Sequence, residues 1–336
     1  MPSATSEHHH EAELHISKWA WAWGAITIIL LIVLVATNLG EAESLAEQLQ
    51  QARPEWLAVA ILLQMGTYVC AGTIWDQVAR SAGHRLAINA VARLSIEKLS
   101  INQLIPTGGV AGNFIVIRAM RRMGLPSEIA MESLLVDSLG YYAAFVCVTT
   151  VAVAILWING HLTRLILSSL VFFCIIIAAV PLLIVWLLFH KKWNPPAWIM
   201  RRRLVAQTLD VIAHVSARRV LSPLLLFKAT ILQIAIFLLD AATLWALLRA
   251  GGFMVDFHIT FTALVMASIA GMISFIPGGV GTFEAGCTAT LALLGVPVGA
   301  ALTGTILLRG LTLWLPLIPG LILSRKDLRR HHHTDS

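Results

Sequence analysis

The chain has 336 residues, of which 58% are hydrophobic and only 12% charged, and its mean hydropathy is +0.80. A soluble domain carries about 25% charged residues, so this composition excludes a water-soluble enzyme or nucleotide-binding domain. It points to a polytopic membrane protein. The net charge of +6 is then expected to mark cytoplasmic loops rather than a nucleic-acid partner.

Residues 1–18 form a polar tail, and the first apolar run is Trp19 to Leu39. It is too long for a signal-peptide core and has the roughly 20 residues that cross a bilayer. The loop after it carries Glu41, Glu43 and Glu47, whereas the loop after a second span, from about Glu55 to Trp75, carries Arg80, Arg85, Arg93 and Lys98. The positive-inside rule places the first loop outside, the second in the cytoplasm and the N-terminus inside. Next comes "LSINQLIPTGGVAGNFIVIRAMRR", Leu99 to Arg122, with basic residues on both sides. A full crossing would put one basic cluster outside. A re-entrant hairpin that turns at Pro106, Gly108 and Gly109 keeps both inside, and broken backbone at membrane depth survives only where it lines protein or a cavity.

Two spans follow, from about Glu132 to Ile158 and from Arg164 to Phe189, joined by a short external turn. They lead to a basic cytoplasmic loop at 190–220, in which Trp198, Val205, Leu209 and Ile212 recur at helical spacing. That pattern predicts an amphipathic helix on the inner leaflet. A span from Leu221 to about Leu248 precedes a second broken segment within His258 to Leu294, and Pro297 to Leu323 forms the last span before a basic cytoplasmic tail at 325–336. The expected fold is all-α: one transmembrane domain over 19–324, with about six full spans and two re-entrant helical hairpins.

The two breaks resemble each other. Ile105-Pro106-Thr107-Gly108-Gly109-Val110 reappears as Ile276-Pro277-Gly278-Gly279-Val280, followed by Gly281, and Gly124-Leu125-Pro126 reappears as Gly295-Val296-Pro297. The glycine pairs lie 170 residues apart and Gly124 and Gly295 lie 171 apart. Three spans separate the copies, and an odd number inverts orientation. An inverted repeat is therefore expected, over about 86–158 and 256–324, which is a recurring plan of secondary transporters.

Charges inside apolar segments are expensive and face the protein interior or a watery cavity. Asp137, Asp240, Glu284 and Arg309 are such charges, although Asp240 is also readable as close enough to the outer surface to be hydrated. Arg309 can pair with Asp137 or with Glu284, either to lock helices or to serve a charged headgroup or coupled proton. Arg118, at the end of a half-helix, can meet a phosphate or anchor the hairpin. The four cysteines lie in apolar runs without CxxC spacing and read as small buried residues. No P-loop, HExxH or GxSxG motif occurs, so neither a cofactor nor a metal is expected, nor ATP-driven pumping or enzymatic activity within the chain.

"IPGGVGTFEAG", then "LGVP" and "LLRGLTLWLPLIPG", closely resemble the C-terminal signature of the lysylphosphatidylglycerol synthase transmembrane-region family, the flippase-like membrane proteins. "NQLIPTGGVAGNFIVIRAMRRMGLPSEIAMESLLVD" resembles that family's N-terminal signature. The resemblance covers roughly Trp56 to Leu323. It places the family's arginine on Arg118, its acidic positions on Glu132 and Asp137, and the second signature's glutamate and arginine on Glu284 and Arg309. It implies movement of lipids or lipid-linked molecules between leaflets, with phospholipid, polyprenyl-phosphate or hopanoid classes as partners. The aminoacyl-transferase domain of the family's synthases has no expected counterpart here. The expectation is therefore a bacterial inner-membrane flippase. The alternative is a non-transporting scaffold that binds a lipid-modifying enzyme.

Overall fold

The computed structural model describes residues 53–104, 110–160, 164–190, 215–274 and 279–314, all helices and short connections. In chain order they are α1 (Pro54–Ser81), α2 (Ile88–Leu104), α3 (Val110–Arg122), α4 (Ser127–Ile158), α5 (Arg164–Phe189), α6 (Ala217–Val220), α7 (Pro223–Ala250), α8 (Phe257–Ile273), α9 (Thr282–Leu293) and α10 (Val298–Arg309), which runs on into a π-helical turn, Gly310–Trp314. The first expected span, the amphipathic stretch of the basic loop and the end of the last span lie outside the described residues. Among the described ones, α1, α4 and α7 are long and apolar enough to cross a membrane.

Local chemistry sets the helix ends. Pro54 and Pro223 occupy the first turns of α1 and α7, where a missing N–H costs nothing. Beyond α3 and α9 the chain turns through Gly124 (φ +86°) and Gly295 (φ +91°). There the N–H of the next residue reaches back: Leu125 to the Met120 carbonyl at 3.1 Å, and Val296 to the Leu291 carbonyl at 3.0 Å. This left-handed cap suits glycine and satisfies helix-terminal carbonyls. It explains why the Gly-x-Pro landmarks follow both broken segments: each is a helix stop followed, after one residue, by the proline that precedes the next helix. Helix lengths recur in the same order: α1 and α7 have 28 residues each, α2 and α8 have 17 each, and α3 and α9 have 13 and 12.

The long helices α1 and α7 lie antiparallel. The Arg53 N–H bonds the Ala250 carbonyl at 3.1 Å. At that end Arg249 stacks over Trp245 (4.3 Å) and Trp56 (5.6 Å), a cation held against aromatic faces. Helix α4 packs across both, and α8–α10 close the other side. Two apolar clusters result. One joins Phe145, Phe237, Leu244, Leu264, Leu291 and Leu308. The other joins Trp75, Val78, Leu94, Met120 and Leu134. Large side chains such as Leu62 and Trp157 point outward, 71% and 72% exposed, as expected of surface facing lipid rather than water.

In lipid no hydrophobic drive brings helices together, so small residues and close approach must do it. A Cβ at Gly72 would stand 2.8 Å from the Val91 backbone, at Gly140 2.8 Å from Ala229 Cβ, and at Gly304 2.6 Å from Leu248. Gly140→Val is therefore expected to cost about 1–3 kcal/mol through overpacking. Gly299→Ala, whose added methyl would meet nothing within 4 Å, is expected to be neutral or stabilising by up to ~1 kcal/mol. Thermal melts of the detergent-solubilised chain, followed by circular dichroism, compare the two.

Candidate functional site

Asp137 sits on α4, 7% exposed, among helices that offer it three donors. Trp75 Nε1 on α1 donates at 3.2 Å, Lys98 Nζ on α2 at 3.0 Å and Gln233 Nε2 on α7 at 2.6 Å. Lys98 also lies over the Trp75 ring, 5.1 Å from its centroid. An unpaired acid at mid-bilayer costs at least ~2.5 kcal/mol. Charge-assisted bonds to three other helices offset that cost and fix the helices relative to one another.

Glu284 and Arg309 make the second polar node. Gly281 (φ +85°) is the N-cap of α9, and its N–H donates to Glu284 Oε2 at 2.6 Å. An acid at the third position of a helix satisfies a terminal N–H and complements the helix dipole. The other oxygen, Oε1, accepts from Arg309 Nε at 2.5 Å. The guanidinium lies over the Phe283 ring at 4.5 Å. Of the two pairings the sequence left open, this one forms, and Asp137 takes Lys98 instead. The glycines beside the node permit close packing. A Cβ at Gly279 (φ +62°) would stand 2.9 Å from Gly271 Cα, and one at Gly286 would stand 2.9 Å from Ala270 Cβ. Thr282 and Ser274 tie the two sides of the break, hydroxyl to hydroxyl at 2.9 Å.

Both nodes border one cavity of about 360 Å³. Its walls are α1, α2, α4, α7, α8, α9 and α10 with the π turn. Its polar lining includes Gln64, Thr67, Tyr68, Ser95, Lys98, Asp137, Gln233, Asp240, Ser268, Arg309 and Thr312. Arg309 is the last residue of α10 before the π turn, an irregularity frequent at functional positions in helices. Among the described residues no three His, Cys, Asp or Glu side chains gather to hold a metal ion.

The sequence-derived site residues divide. Asp137 and Arg309 line the cavity, and Glu284 holds Arg309 from behind. Glu132 is 1% exposed but lies elsewhere, accepting the Ser216 N–H at 2.8 Å and paired with Arg219. It ties α4 to the segment that follows the basic loop. Arg118 is exposed on α3 and does not line the cavity. Gly279 and Gly281 sit at the start of α9, whereas Pro106, Gly108, Gly109, Pro277 and Gly278 lie outside the described residues.

Sequence reasoning missed Lys98, which it counted as a cytoplasmic loop charge. It also missed Trp75, Gln233, Gln64 and Tyr68, which carry no charge to flag them in an apolar run. Gln64 and Gln233 were the available signal, as amides in segments otherwise suited to lipid.

A family model described as "Lysylphosphatidylglycerol synthase TM region" matches residues 21–320. The phosphatidylglycerol lysyltransferase of Staphylococcus haemolyticus (strain JCSC1435) is 39% identical over 74 residues, 21% of this chain and 9% of that protein. The phosphatidylglycerol lysyltransferase of Staphylococcus aureus (strain MRSA252) is 36% identical over 77 residues, 22% of this chain and 9% of that protein. The match thus spans about a tenth of the length of these curated relatives.

Asp137→Asn leaves Lys98, whose side chain is 23% exposed, without its counter-charge. It is expected to destabilise the chain by about 3 kcal/mol, the loss typical of breaking a largely buried pair. The double variant Asp137→Asn/Lys98→Met removes the stranded cation and is expected to recover ~1 kcal/mol or more. Melting points of the single and double variants in one detergent test this order.

Proposed function

Because the chain belongs to the lysylphosphatidylglycerol synthase transmembrane-region family, we propose that it moves an amphipathic, anionic lipid or lipid-linked molecule between leaflets by alternating access, without catalysing aminoacyl transfer. The observation that carries this proposal is the cavity itself. It lies midway along α1 and α7, and it presents Lys98 and Arg309 to the same space. A cavity of this size suits a headgroup, while the acyl chains stay in the lipid beside it.

Both cations are already neutralised, Lys98 by Asp137 and Arg309 by Glu284. A phosphate that takes either cation displaces its carboxylate, and a buried unpaired charge is avoided only if that carboxylate takes up a proton. The carboxylate loses the proton and regains its cation when the headgroup leaves. The resting pairs thereby couple loading to proton uptake and release to proton loss.

The repeated helix lengths and the antiparallel packing of α1 on α7 support an inverted repeat. Helices α1 and α7 would be its equivalent members, and α2–α3 and α8–α9 the hairpins. Rocking one repeat against the other would open the shared cavity to alternate sides. The charge census of the loops supports cytoplasmic termini, and the family and its bacterial relatives support the bacterial cytoplasmic membrane as its place and phospholipids as the first substrates to try. A lipid-modifying enzyme that makes or consumes the substrate would be a natural partner.

Reconstitution into liposomes with fluorescently labelled phosphatidylglycerol and phosphatidylethanolamine tests the proposal through the rate at which labelled lipid changes leaflet. Wild-type chain is expected to accelerate exchange of at least the anionic lipid. Arg309→Gln is expected to slow it about tenfold or more, equivalent to ~1.4 kcal/mol of binding. Folded wild-type protein that exchanges no lipid would sink the proposal and favour the scaffold alternative. A folded Arg309→Gln variant at full speed would remove Arg309 from the transport site.

A further inference from the structure

At the part of the cavity lined by Gln64, Tyr68 and Asp240 the polar chemistry changes sign. Gln64 and Tyr68 stand one helical turn apart on α1 and are 2% and 5% exposed; Asp240 lies on α7, and all three line the cavity. The Gln64 side chain stands within hydrogen-bonding reach of both Tyr68 and Asp240. Each of the three carries an enclosed oxygen with no hydrogen-bond partner among the described residues: Gln64 Oε1, the Tyr68 hydroxyl and Asp240 Oδ1.

The orientation of the Gln64 amide follows from its neighbour. The Thr67 hydroxyl donates its one proton to the Gln64 backbone carbonyl at 2.7 Å. Its oxygen can then only accept, and it accepts from Gln64 Nε2 at 3.1 Å. One of the two amide N–H groups is thereby used by Thr67 and the other remains for a neighbour, while Oε1 is left as an acceptor without a donor.

Three unpartnered buried oxygens, one on a carboxylate, make an arrangement that native structures rarely leave empty-handed. The charged groups that line the same cavity do not resolve it, since Lys98 is bonded to Asp137 and Arg309 to Glu284. A water molecule and the Tyr68 hydroxyl can supply donors to these oxygens, but neither brings the positive charge that an ionised Asp240 needs in an apolar span. A compact cation answers both needs, and oxygen-only ligands of this kind suit a hard ion.

We infer that Gln64, Tyr68 and Asp240 form a binding site for a compact monovalent cation, either a free alkali ion or the ammonium of a headgroup in the cavity. Helices α1 and α7 both contribute ligands, so an occupied site bridges the two described helices that pack most extensively on each other and favours the arrangement in which they stand as observed. The use of this ion to drive or gate transport rests on the function proposed above; the binding does not.

The test therefore uses the full chain in detergent, with no lipid movement measured. Thermal midpoints are recorded while choline chloride is replaced at constant ionic strength by sodium chloride, potassium chloride or methylammonium chloride. The expected result is a midpoint that rises by several degrees with sodium or with methylammonium, the responding ion identifying the source. Asp240→Asn is expected to weaken that response about tenfold or more, and Tyr68→Phe, which deletes a single oxygen, severalfold. Binding of radioactive sodium, competed by each salt, gives a second readout on the same variants. A wild-type chain that responds to none of the three ions would overturn the inference. So would variants that respond as strongly as the wild type. Failure of lipid exchange in liposomes, with cation binding intact, would count against transport and leave the site standing.

Discussion

The arrangement of this domain depends on one carboxylate. Asp137 lies within an apolar helix, where an ionised acid is tolerated only if other groups compensate it. Its donors come from α1, α2 and α7, so satisfying one side chain sets the positions of four helices at once. Non-directional apolar packing could not do this, because lipid tails compete equally well for any leucine face. Directional bonds and close approach must supply the specificity. Glu284 does the same work on the other side of the cavity: one oxygen caps α9 and the other holds Arg309.

These two nodes also explain how polar groups can line a cavity among apolar helices without collapsing it. Each cation is held by an acid on a different helix, and each acid is held again by a backbone or side-chain donor. The small residues at the helix crossings, Gly72, Gly140 and Gly304, let the backbones approach closely around this polar centre. The result is a polar interior enclosed by closely packed helices, with its polar groups held by protein rather than exposed to lipid.

Several features of this plan were legible in the residues, for identifiable reasons. Long apolar runs mark helices because lipid imposes a fixed length; α5 begins and ends where the run does, at Arg164 and Phe189. The glycine after α3 and α9 is readable because few other residues adopt the left-handed cap. Glu284 and Arg309 stood out as charges where charge is costly, and they meet. Lys98 was not legible. Its position beside a basic cluster assigned it to a loop, whereas α2 carries it inward to Asp137. Glu132 and Arg118 share motif positions with Asp137 in the sequence but not its place in space. Glu132 shares α4 with Asp137 but faces Arg219, since neighbours on a helix point in different directions, and Arg118 faces outward from α3.

The sequence by itself determined the membrane class, the helical content, the two glycine-marked breaks and the costly intramembrane charges, because each follows from the local energetics of backbone and charge in lipid. The tertiary structure alone decided which charge meets which. It paired Arg309 with Glu284 rather than Asp137, and it brought Gln64 and Tyr68 of α1 beside Asp240 of α7. Pairing across 25 residues of chain in the first case, and more than 170 in the second, depends on helix register and crossing geometry, and those are set by the whole packed bundle rather than by any one segment.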